Sequence, residues 1–469
     1  MHTTGRLAAM FLAALAAAAA SEAIADPLRV SEVNPRYFTD GTGKAVYLAG
    51  THDGWELQDY AWGDKNPGVL FDWAGFLKFL EEYNHNVIRL WVVEHTKIRD
   101  DDPDLTVPMA YRRVPGKGKA RDGGDKFDLD QFNEAYFQRL RTRTAEAGER
   151  GIYVIVMLFQ GWSIEDKKGK VNPWPYHPFH RDNNVNGIDG DVNGDGQGME
   201  MHTWLGEDHA ITRRQRAYVR KVIDTVNDLD NVLYEIANES GGYSTEWHYR
   251  MIEYIHEYER SKPKQHPVGM TFTYDARKRA SNAALFASPA EWVSPNREAP
   301  GAYDYRHNPP PADGKKIVLC DTDHLWGNTG KDYTWVWKTF CRGHQPLYMD
   351  MWTVEREDAE REVVRRALGH TRAYAERMHL LAMTPRGDLA SSGYCLASPG
   401  REYLIYAPDG GAVTVDLSEA KGALGVEWLN PRTGDRAESG SVQGGAKRQV
   451  QAPFKGDAVL HIAAREEGQ

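Results

Sequence analysis

Short apolar runs alternate with longer amphipathic stretches through most of this chain, and this alternation constrains the fold more than any other feature. Eight runs have the length and content of buried strands: 45–50, 87–93, 153–158, 232–237, 268–272, 291–294, 316–320 and 346–351. Helical periodicity is present over 69–83, 131–147, 212–229, 247–258 and 356–378. Because near-continuous apolar strands separated by helices are typical of parallel sheets covered on both faces, we predict an α/β fold.

Eight such units predict a closed (β/α)8 TIM barrel. An open doubly wound sheet is the alternative, but no Gly-rich phosphate-binding turn follows the first strand. After Met383 the pattern changes to short strands, at 402–406 and 412–417, separated by turns rich in Gly, Pro and Asp. This predicts a C-terminal all-β sandwich of roughly 80 residues. The predicted domains are the barrel at 26–380 and the sandwich at 381–469.

Residues 1–25 carry the features of a secretory signal peptide. Arg6 precedes an apolar run from Leu7 to Ala20, and Ala23-Ile24-Ala25 fits a small-x-small cleavage site. The run is short and Ala-rich for a membrane span, and an N-terminal anchor is the alternative. We therefore expect an exported protein, periplasmic or extracellular, with no membrane partner. The sequence leaves the oligomeric state open.

Composition argues against several classes of protein. The 469 residues have a formal net charge of −10, which disfavours a nucleic-acid partner. Three cysteines, Cys320, Cys341 and Cys395, exclude a complete internal disulfide framework, and we do not expect Cys320 to pair with Cys341. No cysteine cluster has zinc-ligand spacing and no His-Glu-x-x-His motif is present, so zinc is not expected.

Polar and aromatic residues are concentrated where the predicted strands end. Since barrel sites form at the carboxyl ends of the strands, we predict that one site contains His52, Asp53, Arg89, Gln160, Trp162, Asn238, Glu239, Asp321, Asp323, His324 and Trp352. Structural ion pairs could explain one or two of these residues but not the whole set. In the pair Asn238-Glu239, the amide suits a sugar hydroxyl and the carboxyl suits proton transfer to a leaving oxygen.

The chain resembles the clan-A glycoside hydrolases, cellulase-like (β/α)8 barrels with an Asn-Glu acid/base pair at the end of strand four. The likeness is greatest to a bacterial branch in which such a barrel precedes a β-domain labelled as collagen-binding, although nothing in this β-domain suggests a collagen groove. The segments that carry it are 34–40, 47–52, 321–327 and 426–434. The resemblance implies that Glu239 is the acid/base, that Arg89 orients the nucleophile and that Trp352 lies under the sugar.

Strand seven departs from the clan pattern, because this chain has Asp321 and Asp323 where the clan has Glu. Residues two apart share a face of a strand, so both carboxyls can point into the barrel mouth. Asp321 is the preferred nucleophile, since the apolar run stops directly before it. We predict a retaining glycoside hydrolase that acts on an oligo- or polysaccharide. The alternatives are an inverting hydrolase on the same barrel and an inactive carbohydrate-binding protein.

The loop after the third strand has the pattern of a calcium-binding loop. Over twelve positions it offers oxygen ligands from Asp189, Asp191, Asn193, Asp195 and Glu200, with glycine at the sixth position. Gly196 replaces the usual apolar eighth residue, and no flanking helices are evident. The alternative is an Asp/Gly-rich turn that binds nothing. We expect no cofactor for the chemistry and consider Ca²⁺ as a structural ion.

Overall fold

The computed structural model describes residues 24–59, 70–103, 105–166, 171–273 and 282–464. The predicted signal peptide lies almost entirely outside the described residues. The strands are β1 (Arg29–Val30), β2 (Phe38–Thr39), β3 (Gly50–His52), β4 (Val87–Leu90), β5 (Tyr111–Arg113), β6 (Phe127–Phe132), β7 (Tyr153–Gln160), β8 (Val232–Asn238), β9 (Val268–Thr271), β10 (Trp292–Ser294), β11 (Ile317–Asp321), β12 (Gln345–Met349), β13 (Thr384–Pro385), β14 (Cys395–Ser398), β15 (Glu402–Ala407), β16 (Ala412–Asp416), β17 (Ala423–Leu429), β18 (Arg436–Gln443), β19 (Lys447–Gln451) and β20 (Ala458–Ala464). The α-helices are α1 (Trp73–Glu82), α2 (Glu134–Gly148), α3 (Ala210–Val226), α4 (Thr245–Glu259), α5 (Asn282–Phe286), α6 (Thr322–Leu325), α7 (Tyr333–Cys341) and α8 (Ala359–Arg377).

Eight parallel strands close into a barrel in the order β3, β4, β7, β8, β9, β10, β11 and β12, with β12 returning to β3. The predicted TIM barrel is therefore confirmed. The register places the last residues of neighbouring strands side by side, since Gln160 pairs with Asn238 and Met349 pairs with His52. One rim of the barrel thus collects the side chains that follow the strand ends.

The first barrel strand begins later than the sequence predicts. The apolar run at 45–50 does not pair along its length, because Val46 bridges to Phe38 in an antiparallel contact. The next two backbone N–H groups donate to side chains, Leu48 to Gln345 and Ala49 to Asn86, both at 2.9 Å. Only β3 therefore joins the barrel ladder, and this brings His52 to the rim.

The long helices cover the barrel with one buried face each. In α3 the buried residues Ile211, Val219, Val222 and Val226 recur at helical spacing. Three helices were not predicted, namely the short α5 and α6 and the aromatic α7. Helix α7 buries Trp335, Trp337 and Phe340, because it lies between the barrel and the C-terminal domain. Its apolar residues therefore lack the one-sided pattern of an outer helix.

The C-terminal domain contains a six-stranded sheet in the order β13, β14, β15, β20, β17, β18 and a separate pair formed by β16 and β19. An apolar core that includes Tyr403, Val415, Trp428 and Ile462 joins the two sheets. The predicted β-sandwich is confirmed. Helix α8 ends at Arg377 and β13 begins at Thr384, so the change of architecture takes place over a few residues.

The sandwich packs firmly on the barrel. Leu404 and Val459 belong to the same buried apolar cluster as the barrel helices. The hydroxyl of Tyr374 on α8 donates to Glu427 at 2.6 Å, and that of Tyr333 donates to Asp457 at 2.9 Å. Cys320, Cys341 and Cys395 are free and buried. Within the described ranges, none of the helices has the length and apolar character needed to cross a bilayer.

Candidate active site

A cleft opens at the rim formed by the carboxyl ends of the barrel strands. Its empty volume, which includes the solvent at its open mouth, is about 800 Å³. It is lined by Asp53, Gly54, Trp55, Trp91, Val93, His95, Gln160, Trp162, Asn238, Glu239, Asp323, Asn328, Met349 and Met351. The lining includes many of the predicted site residues. Four others, His52, Arg89, Asp321 and His324, lie in a buried layer directly beneath the cleft.

Arg89 is the centre of this buried layer. Its guanidinium donates from Nε to Glu235 at 2.7 Å and from Nη2 to Asn238 Oδ1 at 2.7 Å. Its Nη1 lies 3.3 Å from Asp321 Oδ2 and 3.1 Å from Asp323 Oδ2. Burial alone would lower the pKa of Arg89, but the charges of Glu235, Asp321 and Asp323 outweigh burial and raise it. Arg89 is therefore a fixed cation that joins strands β4, β8 and β11.

Both carboxylate oxygens of Asp321 are engaged inside the protein. Oδ1 accepts the Nε2–H of His52 at 3.1 Å and the backbone N–H of Asp323 at 2.9 Å, while Oδ2 faces Arg89. Asp321 thereby caps the N-terminus of α6. Burial would raise the pKa of Asp321, but His52 and then Arg89 outweigh burial and lower it. Asp321 is an anion of the buried layer and is absent from the cleft lining.

Asp323 occupies a different position, because the first turn of α6 carries it past the strand end into the cleft wall. Its Oδ2 contacts Arg89 at 3.1 Å. Burial and then the negative charge of Glu239 raise the pKa of Asp323 to about 7, against the opposing charge of Arg89. Of the two strand-seven carboxyls, Asp323 is the one that shares the cleft with Glu239.

Glu239 follows β8 with an unusual backbone conformation. Its φ is +46°, a left-handed region that residues with a side chain rarely adopt. A Cβ added to Gly161 would lie 2.5 Å from the carbonyl oxygen of Glu239, so the neighbouring strand end must be glycine for the two backbones to approach. The turn takes Glu239 off the strand direction and leaves it half-buried in the cleft wall.

Asn238 is held by hydrogen bonds on both sides of its amide. Oδ1 accepts from Arg89 and from His324 Nε2 at 3.1 Å, and Nδ2 donates to Gln160 Oε1 at 3.2 Å. Burial lowers the pKa of His324 to about 3, so this imidazole is neutral. With Nε2–H directed at Asn238, the other ring nitrogen accepts the Ser294 hydroxyl at 2.7 Å. The amide face of the cleft is therefore rigid before any ligand arrives.

Three indole rings, those of Trp55, Trp91 and Trp162, line the cleft. The guanidinium of Arg89 lies 5.0 Å from the ring centroid of Trp91, and the His52 ring lies 5.5 Å from it. Trp55 and Trp91 were not among the predicted site residues. The signal that could have found them is position, because Trp91 directly follows β4 and Trp55 lies in the loop after β3.

The structure corrects the expectation for Trp352. Its side chain is 3% exposed and packs against Phe71, Phe76 and Phe79, at ring-centroid distances of 6.0, 5.3 and 5.9 Å. The indole belongs to the apolar core beside α1 and does not line the cleft. The physical reason is that the chain turns at Met351, whose φ of +56° places Met351 in the cleft wall instead.

Other lining residues were also not among the predicted site residues. His95 is neutral, because burial lowers its pKa to about 3, and its Nδ1 lies 2.8 Å from Ser163 Oγ. Met349, Met351 and Asn328 complete the wall. Glu235, the main partner of Arg89, lies inside the barrel on β8. A carboxylate within an apolar strand was the available signal for Glu235, whereas methionine and asparagine near strand ends gave none.

The predicted calcium loop has internal hydrogen bonds of its own. The backbone N–H of Asp195 donates to Asp191 at 2.9 Å and that of Gly196 donates to Asp191 at 2.9 Å. Asn193 Nδ2 donates to Glu200 Oε1 at 2.6 Å, while Asp189 lies 3.7 Å from Arg181. Among the residues that the structure describes, no group of three or more His, Cys, Asp or Glu side chains is arranged to hold a metal ion.

Comparison with known proteins supports the fold assignment. The structure aligns with one described as a glycoside hydrolase, with a TM-score of 0.59, 13% identity and coverage of 94% of this chain and 98% of the other. It also aligns with a glycoside hydrolase family 5 structure from Bacteroides vulgatus, with a TM-score of 0.60, 14% identity and coverage of 94% of each chain. At this identity the likeness shows a shared two-domain fold.

Two sequence profiles match parts of the chain. Residues 84–285 match a family described as a domain of unknown function, DUF6298. Residues 386–462 match a family described as "Putative collagen-binding domain of a collagenase". The first match covers the second to fifth barrel strands and the second covers most of the sandwich. A comparison with curated proteins gave no match.

Proposed function

We propose that this protein is a glycoside hydrolase that cleaves an O-glycosidic bond of an oligo- or polysaccharide, with Glu239 and Asp323 as its two carboxyl groups. The observation that carries the proposal is that both groups line one cleft and that the charge of Glu239 raises the pKa of Asp323. Two carboxyls in one cleft, of which Asp323 has a pKa of about 7, supply an acid and an anion at the same place.

The buried layer gives each carboxyl its role. In the reactive form of the pair Glu239 carries the single proton and Asp323 is the anion, stabilised by its contact with Arg89, so Asp323 is the group that attacks the anomeric carbon. Glu239 donates its proton to the departing glycosidic oxygen as that C–O bond breaks, leaving a glycosyl ester on Asp323. Glu239 then takes a proton from water, and the water oxygen displaces Asp323 from the anomeric carbon. The released sugar keeps its anomeric configuration.

This assignment moves the nucleophile two residues from the one that the sequence favoured. Asp321 has both oxygens engaged by His52, Arg89 and the backbone of Asp323, so an attack by Asp321 would break the cap of α6. Asp323 starts beyond the end of β11, on the helix, and this position offsets an aspartate side chain that is one methylene shorter than glutamate. In this proposal Asp321 positions Asp323.

The names of the structural neighbours support the same class of activity, since both are described as glycoside hydrolases.

The collagen-binding description of the C-terminal family has less support in the described contacts. The sandwich uses Leu404, Glu427, Asp457 and Val459 to pack on the barrel, and we propose that it is a fixed support. Expressed alone, 381–469 should aggregate or unfold. A soluble isolated domain that binds collagen would contradict this role.

A panel of purified polysaccharides tests the proposed activity. We expect reducing ends to appear with the wild-type protein and to be lost in Glu239→Gln, and ¹H NMR of the first products should show the retained anomer. Inversion would mean that Asp323 activates water. Binding without cleavage would leave a carbohydrate-binding protein as the better assignment.

We further propose that the protein is exported, because 1–25 has the charge, apolar run and small-residue site of a signal peptide. The sequence read by N-terminal sequencing of the protein secreted by its host should begin near Asp26.

We also propose that the loop at 189–200 binds Ca²⁺ as a structural ion, on the basis of its alternating oxygen ligands.

A further inference from the structure

Asp53 lies directly after β3, lines the cleft and has contacts unlike those of the other carboxyls there. Its side chain is buried, at 1% exposure. Oδ2 accepts the backbone N–H of Thr353 at 2.7 Å and also the Thr353 hydroxyl. Oδ1 has no hydrogen-bond partner within the part of the chain that the structure describes. One oxygen therefore accepts two hydrogen bonds, whereas the other is buried at the cleft wall without a partner among the described residues.

A second carboxyl, Glu56, is buried three residues further along the same loop. Its Oε1 accepts the backbone N–H of Asp53, and its Oε2 accepts that of Gly54 at 2.8 Å. Among the ion pairs of the described residues, none includes Asp53 or Glu56. Two buried carboxyls in contact with the same loop and without a basic partner cannot both be ionised. Burial raises the pKa of both groups, but backbone N–H groups reach both oxygens of Glu56 and only one oxygen of Asp53, so Glu56 retains the charge and Asp53 the proton.

The remaining charged groups around Asp53 do not supply the missing cation, since Arg143 donates to the backbone carbonyl of Glu56 and to neither carboxyl. Asp350, at the end of β12, is neutralised by Arg365 at 2.8 Å. His52, the preceding residue, directs its Nε2–H at Asp321. Asp323 and Glu239, elsewhere in the cleft wall, are acidic. Burial and then the charge of Glu56 raise the pKa of Asp53 to about 8, with a smaller contribution from Asp350 and opposition from the Thr353 hydrogen bonds.

We propose that Asp53 is a specificity-determining residue that binds the substrate as a neutral carboxylic acid, with its Oδ1–H donated to an acceptor oxygen of a sugar. This inference rests on the proposed glycosidase function. The proton belongs on Oδ1, because Oδ2 already accepts two hydrogen bonds from Thr353. An ionised Asp53 could only accept, so substrate affinity should fall as pH rises through about 8.

The protonation state can be measured without a substrate. The spectra are recorded on protein labelled with ¹³C at aspartate carboxyls in an Asp323→Asn background, because the pKa of Asp323 is about 7 and its own band would overlap. Infrared difference spectra should show a protonated carboxyl band at pH 6.5 that disappears above about pH 8. Asp53→Asn should remove this band. Asp59→Asn is the matched control, because Asp59 lies in the same loop but pairs with Arg139 at 2.9 Å outside the cleft, and the band should remain. A spectrum without that band, or a band that survives Asp53→Asn, overturns the inference.

The binding role is measured on the glycan that the polysaccharide panel identifies. Asp53→Ala should raise KM by about 3- to 10-fold, the effect of losing one neutral hydrogen bond, with a much smaller change in kcat. Asp53→Asn should recover most of that loss and abolish the rise of KM above pH 8, because an amide N–H can replace the acid O–H. An Asn variant as defective as the Ala variant would show that Asp53 acts as a carboxylate.

These two arms separate the inference from the proposed function. If no glycan of the panel is bound or cleaved, the glycosidase function and the binding role of Asp53 both fail, while the infrared spectra still decide its protonation. If the glycan is cleaved normally but the infrared band is absent, the glycosidase function stands and the neutral-acid role of Asp53 is overturned.

Discussion

The buried layer beneath the cleft and the wall of the cleft use the same residue types in opposite ways. In the buried layer, Arg89, Glu235 and Asp321 satisfy one another, and every charge there has a partner within 3.3 Å. In the wall, the charge of Glu239 adds to burial in raising the pKa of Asp323, and Asp53 Oδ1 has no hydrogen-bond partner among the described residues. Charged groups whose ion pairs and hydrogen bonds are all formed hold the site in position. Charged groups that lack full partners are the ones that can react or bind a ligand.

The largest effect should come from the wall. Glu239→Gln keeps the size of the side chain and removes its proton, so kcat on natural glycosides should fall by ~100-fold or more. Steady-state assays of reducing ends measure the loss. The matched control is Glu246→Gln, an exposed position on α4 whose side chain is 63% accessible, and its kcat should match that of the wild type. Equal losses on natural and activated substrates, with folding intact, would remove Glu239 from the acid role.

Asp321 and Asp323 allow the buried layer and the wall of the cleft to be compared most sharply. Asp321→Asn removes the negative partner of His52 and Arg89, so the free energy of unfolding should fall by about 3 kcal/mol or more. Asp323→Asn should change stability less, because it lies at the cleft, but should reduce kcat by ~100-fold or more. Urea unfolding and kinetics of both variants measure this. A larger loss of stability in Asp323→Asn than in Asp321→Asn would contradict the assignment of Asp321 to the buried layer and Asp323 to the cleft wall.

The pH dependence of turnover follows from the wall as well. Burial and the negative charge of Glu239 raise the pKa of Asp323 to about 7, so the pair of carboxyls loses its last proton as pH rises through about 7. The mechanism needs one proton on the pair, so kcat on natural glycosides should fall as pH rises above about 7. Activated substrates do not need the acid, and in Glu239→Gln their kcat should not show this fall. A fall that persists in Glu239→Gln would show that another group controls it.

Trp352 and Trp91 allow the effect of core packing to be distinguished from the effect of ligand contact. Trp352→Ala removes a core side chain and should lower the free energy of unfolding by about 3–5 kcal/mol. Trp91→Ala removes a cleft side chain and should raise KM by roughly 10-fold with a smaller change in stability. Thermal melting and kinetics of the two variants are sufficient to compare them. A normal KM in Trp91→Ala would remove that indole from the binding surface.

The smallest effect is expected at the loop at 189–200. If Ca²⁺ binds there, calcium should raise Tm by mass action and EDTA should lower it, without a change in kcat. Asp191→Asn should weaken the shift, while Asp182→Asn, an exposed carboxyl outside the loop pattern, should retain it. Calorimetry with elemental analysis measures both. No shift and no bound metal would leave an Asp/Gly-rich turn.

The sequence predicts the barrel well because period and strand content are local properties. All eight barrel strands fall at or next to the predicted runs, and Asn238-Glu239 ends β8 as expected. The first strand was misplaced because side chains of Asn86 and Gln345 take the backbone N–H groups that a ladder would use. These hydrogen bonds depend on side chains far along the sequence, so no local sequence pattern predicts them.

The sequence predicts which strand ends contribute residues to the site. It does not predict which of those residues lie in the buried layer and which lie in the wall of the cleft. Asp321 and Asp323 share a strand-end pattern, and only the structure shows that one caps α6 and the other lines the cleft. Trp352 and Trp91 likewise both follow strands, yet a left-handed turn at Met351 sends Trp352 into the core. These outcomes depend on backbone direction over one or two residues at strand ends.

Chemical rescue tests the division between layer and wall most directly. Azide is added to Asp323→Ala and to Asp321→Ala during turnover of an aryl glycoside with a good leaving group. If Asp323 is the nucleophile, azide should restore turnover only in Asp323→Ala and should yield a glycosyl azide of inverted configuration, detectable by NMR. Rescue of Asp321→Ala alone would place the nucleophile in the buried layer and contradict the account.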